Sequence, residues 1–100
     1  MPEVKISFKA GSQIVCEPNR VVVKIREFVV WNCVTEQAFT VDFGTDSPFP
    51  DTPFHVPAKT KKQAQIPANA TQKTYKYSVA LYDSKTGLVH VLDPEMIVKK

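Results

Sequence analysis

The chain has 100 residues, of which 43% are hydrophobic and 23% charged, and its formal net charge is +3. This length predicts one domain, residues 1–100, with a single core of modest size. The charge is too small for a nucleic-acid-binding protein and no apolar run could span a membrane, so we expect neither partner. The start of the chain has no apolar signal segment, which indicates a cytoplasmic protein, or a periplasmic one if a signal peptide has been removed.

The first half of the chain alternates between apolar and polar residues, the pattern of half-buried β-strands. A turn at Gly11 separates the first two of these strands, and Pro18 ends the second. The fourth is apolar on both faces and is typical of a central strand. The five predicted strands are, in order, VKISFK, SQIVCEP, RVVVKIRE, FVVWNCV and QAFTVDF.

Residues 44–59 differ from the rest because they contain four of the eight prolines. Proline removes a backbone donor, so we predict a loop or edge structure here rather than a central strand. Phe49 and Phe54 are expected to pin this Pro/Phe loop onto the core. The following KTKKQAQIP predicts a polar edge strand whose lysines discourage pairing with other chains.

Strong alternation returns in TYKYSVALYD, which places Tyr75, Tyr77, Val79 and Leu81 on one face. The following DSKTG is a turn sequence, opened by Asp83 and with Gly87 suited to a positive φ. LVHVLDP and EMIVKK then close the chain, with a bend at Asp93-Pro94. Seven or eight short strands without a helix-period segment predict an all-β fold, a β-sandwich or barrel.

Two stretches of the sequence resemble the cupredoxins, the small Greek-key copper proteins. NRVVVKIREFVVWNCVTEQAFTVDF is similar to the family's V-x-W-x-N and H-x-V-x-F strands. YKYSVALYDSKTGLVHVLDPEMIV is similar to its closing Y-x-Y-x-C strand, ligand loop and final strand. The resemblance covers about half of the chain. It implies a Greek-key sandwich of cupredoxin type, similar to copper-less domains of small bacterial proteins, in which the closing segment forms the last strand pair.

The resemblance also implies that the usual copper site is absent. A type 1 site needs a thiolate, two imidazoles and usually a weak axial thioether. The positions that match the family's first histidine and its cysteine hold Phe39 and Val79, which have no lone pair to donate. We therefore expect no cofactor. An atypical copper-binding electron-transfer protein stays open as an alternative, and its candidate ligands are His90, Met96, His55 and Cys33.

Cys16 and Cys33 leave three alternatives open: two reduced core thiols, a disulfide in an oxidising compartment, or a metal role. Catalysis by Cys33 with either histidine has no supporting spacing, so we do not expect an enzyme. Aspartates such as Asp42 and Asp83 fall in predicted turns, where their side chains bond to the backbone.

The function that we expect is a metal-free cupredoxin-like binding or interaction module, with an unidentified protein partner or a second copy in a homodimer. Its candidate contact residues are Phe49, Phe54 and His55, because aromatic side chains in a proline-stiffened loop lose little entropy on binding. Alternatively, both phenylalanine rings close the open end of the sandwich. An immunoglobulin-like structural domain is a further alternative, although Trp31 lies only two residues before Cys33, unlike the order in that fold.

Overall fold

The computed structural model describes residues 2–8, 14–50 and 53–100, and eleven β-strands lie within them. These ranges contain no helix, and thus none that is long and apolar enough to cross a membrane. The all-β prediction is confirmed. The turn expected at Gly11 lies outside the described residues, as do residues 51 and 52 of the Pro/Phe loop. In chain order the strands are β1 (Glu3–Phe8), β2 (Ile14–Glu17), β3 (Arg20–Lys24), β4 (Phe28–Cys33), β5 (Phe39–Asp42), β6 (Phe54–Val56), β7 (Lys61–Gln65), β8 (Thr74–Lys76), β9 (Ser78–Asp83), β10 (Leu88–Leu92) and β11 (Glu95–Lys99).

The number of strands exceeds the seven or eight that the sequence predicts, in part because TYKYSVALYD is divided at Tyr77. The Tyr77 N–H donates to the Pro94 carbonyl at 3.1 Å. Pro94 has no N–H with which to continue the ladder, so the pairing of β8 with β11 ends there. Beyond Tyr77 the chain continues as β9, which pairs with β5 and β10 instead. β6 adds a further strand within the Pro/Phe loop, at a sheet edge as expected.

The strands form three sheets, with the orders β2-β1-β4-β7, β10-β9-β5-β6 and β3-β11-β8. Two pairs are parallel, β1 with β4 and β3 with β11, and the other pairs are antiparallel. The second and third sheets are linked through Tyr77, the single residue between β8 and β9. The arrangement is that of a β-sandwich, in which the sheets enclose one apolar core.

The core is built from the inward positions of the alternating strands, as the period-two pattern predicts. Val4 and Ile6 of β1 are fully buried. β4 lies between β1 and β7 and buries Val29, Val30 and Trp31, so the central-strand prediction is confirmed. The polar segment KTKKQAQIP forms β7, which lies at a sheet edge as predicted. The face shared by Tyr75, Tyr77, Val79 and Leu81 is buried along its whole length.

Candidate functional site

Phe49 and Phe54 lie in the core, in an aromatic cluster around Trp31. Their ring centroids are 5.8 and 5.6 Å from that of Trp31. Phe43 and Tyr77 complete the cluster, with centroids 6.3 and 6.0 Å from Trp31. Contacts of this geometry stabilise a core by about 0.5–1.5 kcal/mol each beyond the burial of area. The structure therefore favours the alternative in which both phenylalanines pack onto the core, since neither ring is exposed to a partner.

The Tyr77 hydroxyl is the polar group of this cluster. The indole N–H of Trp31 donates to it at 3.5 Å. Burial raises the pKa of Tyr77 above its usual value, because the phenolate would lose its hydration. The cluster is thus neutral at physiological pH and contains no group that is ready for proton transfer.

Phe39 and Val79, at the positions that resemble copper ligands, face the same core from adjacent strands. In the β5–β9 pairing, Phe39 lies opposite Leu81 and Val79 lies opposite Val41. The two side chains are therefore diagonal neighbours on one buried face. Hydrocarbon packing fills this place in the protein.

Cys16 and Cys33 are separate, buried free thiols. On either side of β1, Ile6 lies opposite Cys16 of β2 and opposite Cys33 of β4. Two strand spacings thus separate the cysteines, roughly 9–10 Å, whereas a disulfide requires Cα atoms within about 7 Å. The strand order favours the alternative of two core thiols and explains why the pair is not bridged.

The two thiols lie in different surroundings. Burial raises the pKa of the Cys16 thiol to about 12, so little of the reactive thiolate exists at neutral pH. The Cys33 Sγ atom lies 3.2 Å from the Thr35 hydroxyl and donates to the Gln37 carbonyl at 3.4 Å. Both contacts are with neutral groups of the β4–β5 connection.

The four candidate metal ligands are not brought together. His55 is exposed on β6, and half-buried His90 lies on β10 with its ring centroid 4.7 Å from that of Phe8. Because β6 and β10 are opposite edges of one sheet, roughly 14 Å of strand spacings separate them. Met96 fills the core from β11, in a different sheet. Across the described part of the chain, no group of three or more His, Cys, Asp or Glu residues could hold a metal ion.

An exposed apolar surface that the sequence did not predict lies on β10 and the neighbouring strand β9. Val89 and Val91 lie opposite Tyr82 and Ala80 of β9, on the sheet face that points away from the core. We call Tyr82, Val89 and Val91 the β10 surface; their exposed fractions are 57%, 63% and 58%. The sequence predicts that the closing segment forms the last strand pair, and it predicts nothing about the outward residues of β10.

Charge distinguishes β10 from the other strands at sheet edges. An edge strand presents unpaired backbone groups, and proteins usually protect it with charges or make it short. β6 is uncharged but has only three residues, whereas β10 has five and no charged residue. The other edge strands each contain charged residues: Glu17 on β2, Arg20 and Lys24 on β3, Lys61 and Lys62 on β7, and Lys76 on β8.

An open cavity of about 410 Å³ adjoins the β10 surface on the same sheet face. Thr40, His55, Ala80, Tyr82 and Val89 are among its lining residues. His55, which the sequence analysis selected as a contact residue, therefore lies on the same surface as Tyr82 and Val89. Phe49 and Phe54 do not, because their rings pack around Trp31.

The signal in the sequence that could have identified this surface is the absence of charge in LVHVL combined with its place beside a turn. A short apolar run is typical of a covered strand and equally of an uncovered edge, since periodicity does not report strand order.

A scan of protein-family models finds none that matches this chain, and a search among curated proteins finds no match either.

Proposed function

We propose that the protein is a metal-free, non-catalytic interaction module with a cupredoxin-like Greek-key fold, and that β10 is the strand through which it binds a protein partner. The observation that carries this proposal is the exposure of the outward valines of an uncharged five-residue edge strand, next to an open cavity lined by both apolar and polar residues. Exposed apolar strand edges are recognised by strand addition, in which an extended segment extends the sheet.

Support for the cupredoxin-like part comes from the positions that match two copper ligands. Two positions that match ligands of one metal should lie close together in space. Phe39 and Val79 are far apart in the sequence, so the structure can test this. The β5–β9 register makes them diagonal neighbours on one face. The resemblance thus aligns two strands that are adjacent in the structure, and in this proposal hydrocarbon takes the place of the metal that the family binds.

Strand addition would use the two kinds of group that β10 offers. Among the described residues, β10 has a hydrogen-bonded neighbour on one side only, which is β9. Backbone groups on the other side would supply affinity, since a bound segment satisfies N–H and C=O groups along the strand. Val89, Val91 and Tyr82 would supply selectivity for an apolar segment through alternate side chains.

Site-specific photo-cross-linking tests this function. The photoreactive residue p-benzoylphenylalanine is placed at position 89, and the protein is irradiated in the cells that naturally produce it. We expect a discrete cross-linked product from position 89. The matched control is position 22, a valine with 47% exposure on β3, which should give none. Equal yields at the two positions, or no product at position 89, would contradict the proposal.

A further inference from the structure

We propose that the occupant of β10 is a second copy of this chain, and that the two β10 strands pair antiparallel about a twofold axis at His90. This inference rests on the proposed function and names its partner. Its starting observation is that β10 is a five-residue edge strand, Leu88–Leu92, with the sequence LVHVL.

The sequence of β10 is the same when read in either direction. In an antiparallel pair centred on His90, Leu88 of one copy lies opposite Leu92 of the other, and Val89 lies opposite Val91. His90 meets His90 at the axis. This register uses all five residues and pairs each side chain with an identical type, which is the self-complementarity that a twofold interface requires.

The faces of the sheet also match in this register. Val89 lies beside Tyr82 within one copy and would lie beside Val91 of the other. The outward valines would therefore form one apolar strip across the axis, continuous with both Tyr82 rings. Directly opposed β-branched and aromatic side chains are the favourable cross-strand pairs of antiparallel sheets.

Charges at the two ends of β10 are complementary in the same register. Lys85 precedes the strand and Asp93 follows it, and both side chains are exposed. Because the strands run in opposite directions, the basic end of each copy approaches the acidic end of the other, and this happens twice. The strand itself has no charge, so no pair of like carboxylates or ammonium groups is opposed at its centre.

The protected edges elsewhere favour a closed dimer. Charged residues guard β2, β3, β7 and β8, and β6 is short, so a second β10 is the best-matched acceptor that the described chain offers. Pairing of two β10 strands occupies the free edge of each, so the assembly ends at two copies. Since a single strand pair buries less than the roughly 1,200 Å² of a standard interface, we expect a weak dimer, with a Kd in the micromolar range or above.

Sedimentation velocity with charge-exchanged variants tests the dimer. The wild type should show a reversible monomer–dimer equilibrium between about 1 μM and 1 mM. Val89→Lys/Val91→Lys and Val89→Glu/Val91→Glu each oppose like charges in this register, so each alone should raise Kd about tenfold or more. A mixture of the two variants should form a 1:1 heterodimer. Val22→Lys, at an exposed site on β3, should leave the dimer unchanged, and all variants should keep the wild-type circular dichroism spectrum.

Disulfide trapping tests the register. Mixed Val89→Cys and Val91→Cys proteins should oxidise to a cross-linked pair faster than either variant alone, because residues 89 and 91 oppose each other. The native thiols are buried, so the wild type is the blank. The proposal would be overturned by a wild type that stays monomeric at the highest concentration, or by a double lysine variant that still dimerises. It would also be overturned if the mixture and each cysteine variant alone formed the disulfide equally fast. If the photo-cross-link at position 89 then joins a different protein, the proposed function stands and self-pairing is wrong. If it joins no protein, the proposed function and the self-pairing are both wrong.

Discussion

Phe39 is enclosed by β-strands on both sides. It lies opposite Leu81 of β9 and Val56 of β6, and its side chain is buried. Its contribution to the protein is therefore apolar contact with the sandwich core, which is lost if the ring is removed because neighbouring strands cannot close the gap. The Phe39 side chain therefore serves the packing of the core.

We predict that Phe39→Ala lowers the free energy of unfolding by about 3–5 kcal/mol, since it removes a buried ring and leaves a cavity. Urea denaturation followed by tryptophan fluorescence measures the change. The matched control is Phe28→Ala on β4, where the ring is 38% exposed and the loss should be clearly smaller. Similar losses for the two variants would show that Phe39 does not fill the core.

The β9–β10 turn fixes the position of β10. The outward side chains of β10 are exposed, so their burial cannot fix it. The buried Asp83 carboxylate accepts from the Lys85 N–H and the Thr86 hydroxyl, both at 3.1 Å. The Gly87 N–H donates to the Asp83 carbonyl at 2.8 Å, and Gly87 has a φ of 73°. The prediction of a positive φ at Gly87 is confirmed. The turn thus aligns β10 with β9 through its own hydrogen bonds.

Gly87→Ala should reduce the free energy of unfolding by about 1–2 kcal/mol, because an L side chain is strained at positive φ. The added methyl group meets no atom within 4 Å, so the cost is conformational rather than a clash. Urea denaturation measures it, and Gly87→Asn is the control because asparagine tolerates this conformation better. An alanine variant as stable as the wild type would refute this explanation. So would an asparagine variant less stable than the alanine variant.

The molecule as a whole distributes its possible metal ligands over different sheets and edges. His55 and His90 lie at opposite edges of one sheet, Cys33 belongs to another, and Met96 to the third. A type 1 centre requires these kinds of side chain to converge within bonding distance of one ion. Because no group of three or more His, Cys, Asp or Glu residues in the described part of the chain could hold a metal ion, the β-sandwich would have to reorganise to bind copper in that way.

Addition of one equivalent of Cu(II) to the reduced protein should therefore give no intense thiolate-to-copper absorption and no paramagnetic resonance spectrum of a type 1 site. A thiol titration in denaturant is the control, and two thiols per chain should be found, which shows that neither was lost to oxidation. A stoichiometric blue centre would contradict both the expected absence of copper and the proposed function.

Local pattern was sufficient for the faces of most strands. The alternation around Ile6, Val41 and Val79 predicted which side chains are buried, because side chains in a strand point to opposite faces in turn. The division at Tyr77 was not predictable in the same way, since it depends on Pro94 arriving opposite it from a distant segment. Phe49, Phe54 and His55 were predicted together as contact residues of the Pro/Phe loop, but only His55 is exposed, because both phenylalanine rings pack against Trp31.

By itself the sequence determined an all-β chain, its buried faces, the edge position of β7 and the hydrocarbon at Phe39 and Val79, since each depends on residue type and on the two-residue period. Only the tertiary structure decided that β10 ends its sheet, with β9 as its hydrogen-bonded neighbour among the described residues, and that Cys16 and Cys33 flank β1. Strand order arises from hydrogen bonds between segments far apart in the chain, and the period of a single strand contains no information about its neighbours.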